Sequence, residues 1–272
     1  NIGRLLRIDM FAKRLLCGLF FVLFSQYATA NLLISPTRVS FDDRQRSAKV
    51  TVINSSEEYR TYRVVWSEKL ALPAGGYQTL SEPVASSLSP MTRLSPKQIR
   101  LAPGERQTVK IAIRKPKNLT KGEYRSHLLF QALPNEVKST KPGIKVNMIM
   151  SFSIPVVYRE QGEQPNVKIR DVKLVEDSIN KKLSLAVKLT ESQGFSSYGR
   201  LSAYATNTAG KQEKIAEIGN LSLYPEVNET TAYLALFTDK KLPKKGPIEI
   251  KYEGADEYEG IVFDSYSFAI RH

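Results

Sequence analysis

The sequence is poor in the residues that carry most catalytic and metal-binding chemistry. It contains one cysteine, Cys17, and two histidines, His127 and His272. One cysteine forms no disulfide within the chain, and two distant histidines are too few for a histidine-rich metal site or a catalytic triad without unusual partners. There is also no glycine-rich phosphate loop and no serine in the sharp turn pattern of hydrolases. We therefore expect no enzyme, no metal and no cofactor, and we interpret His127 as structural.

Long hydrophobic runs are missing as well. The apolar run near the N-terminus, Leu15–Phe24, has ten residues, whereas a membrane-spanning helix needs about 20. The basic pair Lys13–Arg14 precedes this run and the small residues Ala28–Ala30 follow it, which is the order of a cleaved secretory signal. We predict that residues 1–30 are an upstream extension and a signal peptide, and that the exported chain begins at Asn31. A retained membrane anchor is the alternative, which the short run disfavours.

Acidic residues are fewer than basic ones, 27 against 40, so the chain carries a formal net charge of +13. Such an excess fits nucleic acid, an anionic surface or acidic partners. The basic residues are spread along the sequence and do not form one arm, and an exported protein is not expected to meet nucleic acid. We expect acidic partners, no nucleic acid and no stable membrane insertion.

Period-two alternation of apolar and polar residues dominates the exported part, and helix-period stretches are nearly absent. The alternation is regular over residues 48–52, 109–113 and 183–189, which is typical of half-buried strands. Turn residues separate these stretches, for example at Pro73–Gly76 and Ala102–Gly104. In the first half we predict strands that begin near Leu32, Ala48, Tyr62, Met91, Gln107, Glu123 and Ile144. In the second half we predict Val167–Val175, Lys182–Thr190, Tyr198–Thr206, Thr230–Phe237, Ile248–Tyr252 and Gly260–Ile270.

A polar stretch, Arg159–Pro165, indicates a boundary between two domains. About seven strands in roughly 120 residues is the size and count of an immunoglobulin-like sandwich. The predicted fold class is therefore all-β, with two immunoglobulin-like β-sandwich domains at residues 31–160 and 161–272.

Several segments of the first predicted domain follow one another in a recognisable order. The opening segment has Thr37 and Arg38 with an aromatic residue, Phe41, three positions after the arginine, and the last strand ends in Tyr158 and Arg159. The full set is Ile34–Asp42, Val52–Asn54, Tyr62–Trp66, Leu101–Gly104, Gly122–Pro134 and Gly143–Arg159. Together these segments resemble the PapD-like periplasmic chaperones of the chaperone–usher pilus pathway. The resemblance covers about residues 31–160 and extends to the second domain only in general character.

The resemblance implies an L-shaped periplasmic chaperone that binds pilus subunits and delivers them to an outer-membrane usher. A pilus subunit lacks its final strand, and the chaperone adds a strand of its own to the open groove. The donor strand is expected to present Ile144, Val146, Met148 and Met150, whose i, i+2 spacing places them on one face. The spacing alone also fits a row that faces the chaperone's own core.

The resemblance further implies roles for three charged residues. Arg38 matches the arginine that holds the C-terminal carboxylate of the subunit in the cleft between the domains. Glu123 and Arg159 match two members of a salt bridge between the domains. The third member would be an acid of the second domain, for which the sequence leaves Asp256 and Glu257 open.

One position departs from the family pattern. The usual second carboxylate anchor is a lysine three residues before the Tyr-Arg pair, and this sequence has Pro155 there. Because Arg125 lies two residues after Glu123 on a predicted strand, both side chains point to the same side. We predict that Arg125 is the substitute anchor. This departure, and the lack of a disulfide in the second domain, suggest a divergent branch such as the archaic or alternative chaperones.

Two other functions fit an exported protein of this fold class. The chain could itself be a pilus or adhesin subunit, although such a subunit has an N-terminal donor extension before its first strand, whereas here the first strand is predicted near Leu32. It could also be an immunoglobulin-like binding module, which would favour a cluster of aromatic residues in one set of loops, and the sequence shows no such cluster.

Overall fold

The computed structural model describes residues 32–134, 150–176, 182–206, 210–237 and 246–269. Within these ranges the chain is mostly strand, with short 3-10 turns at Ser89–Met91 and Asp256–Tyr258. No helix in this part of the chain is long and apolar enough to span a membrane. The strands are β1 (Leu32–Ser35), β2 (Val39–Phe41), β3 (Ser47–Asn54), β4 (Arg60–Ala71), β5 (Tyr77–Leu80), β6 (Thr92–Ser95), β7 (Gln98–Leu101), β8 (Arg106–Ile113), β9 (Gly122–Leu133), β10 (Phe152–Glu160), β11 (Val167–Glu176), β12 (Leu183–Glu191), β13 (Ser197–Thr206), β14 (Gln212–Leu223), β15 (Glu229–Ala235), β16 (Pro247–Gly254) and β17 (Val262–Ala269).

The strands of each half form two sheets. In the first half the sheet orders are β1-β3-β8-β6 and β2-β10-β9-β4-β5, with β7 also paired to β4. In the second half they are β11-β12-β15 and β14-β13-β16-β17. Strand β2 runs parallel to β10, and the other described pairs are antiparallel. Two mostly antiparallel sheets that face each other across an apolar core form a sandwich. The predicted fold class, all-β with two immunoglobulin-like domains, is confirmed.

Each half has its own hydrophobic core. The first core contains buried residues from Leu32 to Tyr158, and the second contains residues from Val167 to Phe263. The alternation seen in the sequence at residues 109–113 corresponds to alternate burial along β8. Burial of each large apolar side chain contributes about 1.5–3 kcal/mol, so each sandwich is stabilised by its own core. The cores divide between Tyr158 and Val167.

Strand β14 was missed in the sequence, and the short strands β2, β5 and β7 were missed with it. The β13–β14 pairing contains register shifts between Gly199 and Leu201 and between Ala203 and Tyr204. A bulge of this kind places two residues against one and breaks the alternation on the affected strand. In β14 the adjacent residues Ile215 and Ala216 are both buried. The sequence of β14 therefore lacks the alternation of apolar and polar residues by which the other strands were predicted.

Asn54, at the end of β3, links two loops of the first domain. Its side chain is fully buried, and its Nδ2 donates to the carbonyl oxygens of Glu58 (2.7 Å), Leu101 (3.0 Å) and Ala102 (3.1 Å). Its Oδ1 accepts from the backbone N–H and the hydroxyl of Ser56 (3.1 and 2.7 Å). One side-chain amide thus supplies hydrogen-bond partners to backbone groups of the loop after β3 and of the turn between β7 and β8.

We predict that Asn54→Ala lowers the free energy of unfolding of the first domain by about 3 kcal/mol, because each buried carbonyl left without a donor costs about 1–3 kcal/mol. Urea unfolding followed by Trp66 fluorescence measures this change. Asn54→Asp is the informative companion variant, since it keeps the acceptor and removes the donors, and it should be destabilised at least as much because its carboxyl group faces three carbonyl oxygens. A loss below about 1 kcal/mol in both variants would contradict the prediction.

Candidate functional site: the charged face between the two domains

The outer face of the sheet that contains β9 and β10 carries most of the predicted site residues. Along β10, Val156 points into the first core, so its neighbours Val157 and Arg159 point outward. In the β9–β10 register Glu123 lies opposite Arg159, and Arg125 lies opposite Val157. Val157 is fully buried although it belongs to neither core. This outer face is therefore covered, and the contacts below show that residues of the second domain cover it.

Arg159 is the centre of the polar contacts between the domains. Its Nε lies 3.1 Å from Glu123 Oε2, and its Nη2 lies 3.3 Å from Glu257 Oε1. The Nη2 also donates to the carbonyl oxygen of Ser196 (3.2 Å), and the backbone N–H and hydroxyl of Ser196 donate to Glu123 (2.8 Å each). Each domain thus supplies a carboxylate to one arginine.

Arg38, immediately before β2, approaches the same acid. Its Nε lies 3.3 Å from Glu257 Oε1, its Nη2 donates to Ser196 Oγ (3.2 Å), and its guanidinium lies 5.0 Å from the ring centroid of Tyr198. Its Nη1 is buried and has no hydrogen-bond partner among the described residues. Of the two acids that the sequence left open, Glu257 is the one that contacts Arg38 and Arg159.

Opposite charges in this cluster shift each other's pKa values towards the ionised forms. Burial raises the pKa of Glu257, but the nearby Arg38 and Arg159 outweigh burial and hold the pKa below its ordinary value of 4.5. Burial also lowers the pKa of Arg38, and Glu257, Tyr224 and Glu123 more than compensate, so that this pKa is raised. The side chain of Glu257 is 21% exposed while that of Arg38 is 2% exposed. The pair of Glu257 and Arg38 is therefore charged at neutral pH, and it is sheltered from solvent mainly on the arginine side.

Arg125 has its own partner in the second domain. Its guanidinium forms an ion pair with Glu226 and lies 3.7 Å from the ring centroid of Tyr224, and its Nη2 donates to the carbonyl oxygen of Lys69 (3.1 Å). The prediction that Arg125 and Glu123 share a side agrees with these contacts, since both reach the second domain. No sequence pattern pointed to Glu226, and a carboxylate ligand would have to compete with it for Arg125.

The hairpin of β4 and β5 also contacts the second domain. The hydroxyl of Tyr77 donates to that of Tyr224 (3.2 Å), and the hydroxyl of Thr230 donates to the carbonyl oxygen of Pro73 (2.8 Å). The Tyr77 ring packs edge-on against His127, with 5.0 Å between the centroids. The contacts of Tyr77 and Pro73 with the second domain join positions far apart in the sequence, and no spacing pattern relates such positions.

Of the four predicted donor residues, Met150 is among the described residues. Ile144, Val146 and Met148 lie outside the described residues. Met150 is described, is 47% exposed and precedes β10, which begins at Phe152. The donor-strand assignment therefore stays a prediction.

Two immunoglobulin-like sandwiches joined through a charged junction define the class of this protein. Residues 31–163 match the family described as pili and flagellar-assembly chaperone, PapD N-terminal domain. The first domain therefore belongs to that family, and the resemblance to PapD-like chaperones is confirmed. Among curated proteins, none matches the sequence.

Several solved structures are similar to the chain at low identity. The chaperone–tip subunit complex CsuC–CsuE from archaic Csu pili of Acinetobacter baumannii has 15% identity and a TM-score of 0.45, over 88% of this chain and 98% of that chain. The SafB chaperone complex with SafA pilin from Salmonella enterica has 15% identity and a TM-score of 0.44, over 88% and 96%. The periplasmic chaperone SfaE has 14% identity and a TM-score of 0.45, over 87% and 98%. At this level the binding partners of those proteins do not transfer to this chain.

We predict that Glu257→Gln lowers the free energy of unfolding at pH 7 by about 2 kcal/mol, between the values for exposed and for fully buried ion pairs. Because the native pKa of Glu257 is lowered, its contribution is complete above the unfolded value of about 4.5 and is lost as the pH falls through the native value.

The melting temperature of the wild-type protein should therefore fall more steeply between pH 5 and pH 3 than that of Glu257→Gln, as thermal unfolding followed by circular dichroism measures. Glu259→Gln, two residues away and exposed, is the matched control and should keep the wild-type profile. Identical slopes in all three proteins would contradict a structural charge at Glu257.

Proposed function

We propose that the chain is a periplasmic chaperone that binds pilus subunits by adding a strand to their incomplete sheet and delivers them to an outer-membrane usher. The observation that carries this proposal is the family assignment of residues 31–163. The proposed activity is binding and release, without a chemical step. The proposal includes export by a cleaved signal at residues 1–30, and a division into domains at residues 31–160 and 161–272.

Arg38 is the proposed first anchor for the C-terminal carboxylate of the subunit. Its Nη1 has no hydrogen-bond partner in the described part of the chain, and it lies where both domains meet. A guanidinium donates from several N–H groups at once, so Arg38 can keep Glu257 and Ser196 through Nε and Nη2 while Nη1 binds a further oxygen. This division of donors supports a role for Arg38 beyond the contact between domains.

Arg125 remains a prediction as the second anchor. Arg125 already forms an ion pair with Glu226. To bind the subunit, it would have to exchange the carboxylate of Glu226 for that of the subunit. In that case Glu226→Gln should strengthen subunit binding through Arg125.

The donor strand is tested with Met148→Asp. Desolvation of a carboxylate in an apolar groove costs several kcal/mol, so we expect at least a hundredfold weaker binding of a pilus subunit co-produced in the periplasm. The measurement is the yield of subunit that copurifies with the tagged chain, together with the melting temperature of the variant alone.

Two controls make this experiment decisive. Met148→Leu keeps an apolar side chain and should bind normally, and Leu174→Asp places the same charge on an exposed position of β11 and should also bind normally. Wild-type yield from a folded Met148→Asp protein would exclude the donor-strand assignment. Unfolding of Met148→Asp would instead place that face in the chaperone's own core.

A further inference from the structure

Three basic side chains lie near His127 on the outer face of β9: Arg125 of the same strand, Lys69 of β4, and Arg38, which precedes β2. His127 is 2% exposed, and neither of its ring nitrogens has a hydrogen-bond partner among the described residues. Burial, followed by the charges of Arg125, Lys69 and Arg38, lowers the pKa of His127 to about 3. The imidazole is therefore neutral at physiological pH, so His127 neither adds a positive charge to this face nor balances the three cations.

Lys69 differs from the other two cations in its partners. Arg38 and Arg125 each contact a carboxylate of the second domain, Glu257 and Glu226. In the described ranges no carboxylate oxygen lies within ion-pair distance of Lys69, whose Nζ donates instead to Ser153 Oγ at 2.6 Å. Burial lowers the pKa of Lys69. Its ammonium is thus partly desolvated without a counter-charge, which is unfavourable unless an anion is bound.

The position of this ammonium relates it to the missing family lysine. Ser153 lies two residues before Pro155 on β10, and so on the same outer face. On the other side of β10, Val39 lies opposite Val156, which places Arg38 beside Pro155. Lys69 and Arg38 therefore approach the Pro155 region of β10 from opposite sides.

We propose that Lys69, supported by the hydroxyl of Ser153, is the second anchor for the subunit's C-terminal carboxylate and takes the place of the lysine that Pro155 replaces. This inference rests on the proposed function. An ammonium and a hydroxyl supply two donors to one carboxylate, with Arg38 as the cation on the opposite side. Both Lys69 and Ser153 are partly exposed, so a ligand reaches them without displacing an ion pair, whereas a ligand of Arg125 would displace Glu226.

The anion site is tested first without a subunit, with sodium acetate as the probe. His127 and His272 are the only histidines of the sequence, so a His272→Asn protein shows one imidazole in proton–carbon correlation spectra. At pH 7 and constant ionic strength, acetate should shift the His127 signals saturably. The shift should be lost in Lys69→Met, restored in Lys69→Arg, and unchanged in Lys110→Met, which removes an exposed lysine of β8 in the other sheet. No saturable shift in the parent protein, or an equal shift in Lys69→Met, would overturn the site.

The subunit is tested second. Lys69→Met should weaken binding of a copurified pilus subunit ten- to a hundredfold, as expected for the loss of one charge-assisted hydrogen bond. A subunit whose C-terminal carboxylate is converted to an amide should bind Lys69→Met and wild-type protein equally. Full binding by Lys69→Met together with a loss in Arg125→Ala would assign the anchor to Arg125 and reject Lys69. If no pilus subunit binds the wild-type protein, the proposed function fails and this assignment fails with it, whereas the acetate result still decides whether Lys69 binds an anion.

Discussion

The contact on which the junction of the two sandwiches depends is the one that Glu257 makes with Arg38 and Arg159. These arginines belong to the first domain and have side chains that are 2% and 10% exposed. Without the acid, two guanidinium groups would be held close together with little solvent, which costs about 2 kcal/mol for this partly exposed cluster. Glu257 makes their proximity favourable, and so couples the charge of one domain to the position of the other.

Glu123 is the acid that the first domain contributes to this cluster, and it contacts the second domain through Ser196. Its side chain is 2% exposed, and its Oε2 accepts from Arg159 and from the backbone N–H and hydroxyl of Ser196. A backbone donor from the second domain fixes Glu123 more closely than a side chain could, because Ser196 directly precedes β13, which is paired on both sides. The junction thus depends on geometry set by strands of both domains, and a shift of one strand would leave a buried charge without its partner.

Features that depend on neighbouring residues could be predicted from the sequence, whereas contacts between residues far apart in the chain could not. The strands with regular alternation, such as β8 and β12, were predicted because burial on one face leaves a period of two in the sequence. Glu123 and Arg159 were selected through the resemblance, and the register of β9 and β10 brings them together. Ser196, Glu226 and Tyr224 could not be predicted, because their contacts cross between domains and depend on loop positions. Lys69 could not be predicted either, because it lies in the part of β4 that pairs with β5, and β5 is too short to leave a pattern in the sequence.

The charges on the covered face favour one further anion. Among the described residues that contact one another there, the cations are Arg38, Arg125, Arg159 and Lys69, and the carboxylates are Glu123, Glu226 and Glu257. His127 is neutral, so one positive charge is left without a partner. In a region of low dielectric constant such an excess attracts an anion more strongly than it would in water. A single carboxylate, the group at the end of every polypeptide, balances the face, whereas a dianion such as phosphate would reverse its sign. The charge balance therefore favours a ligand that brings one carboxylate over one that brings two negative charges.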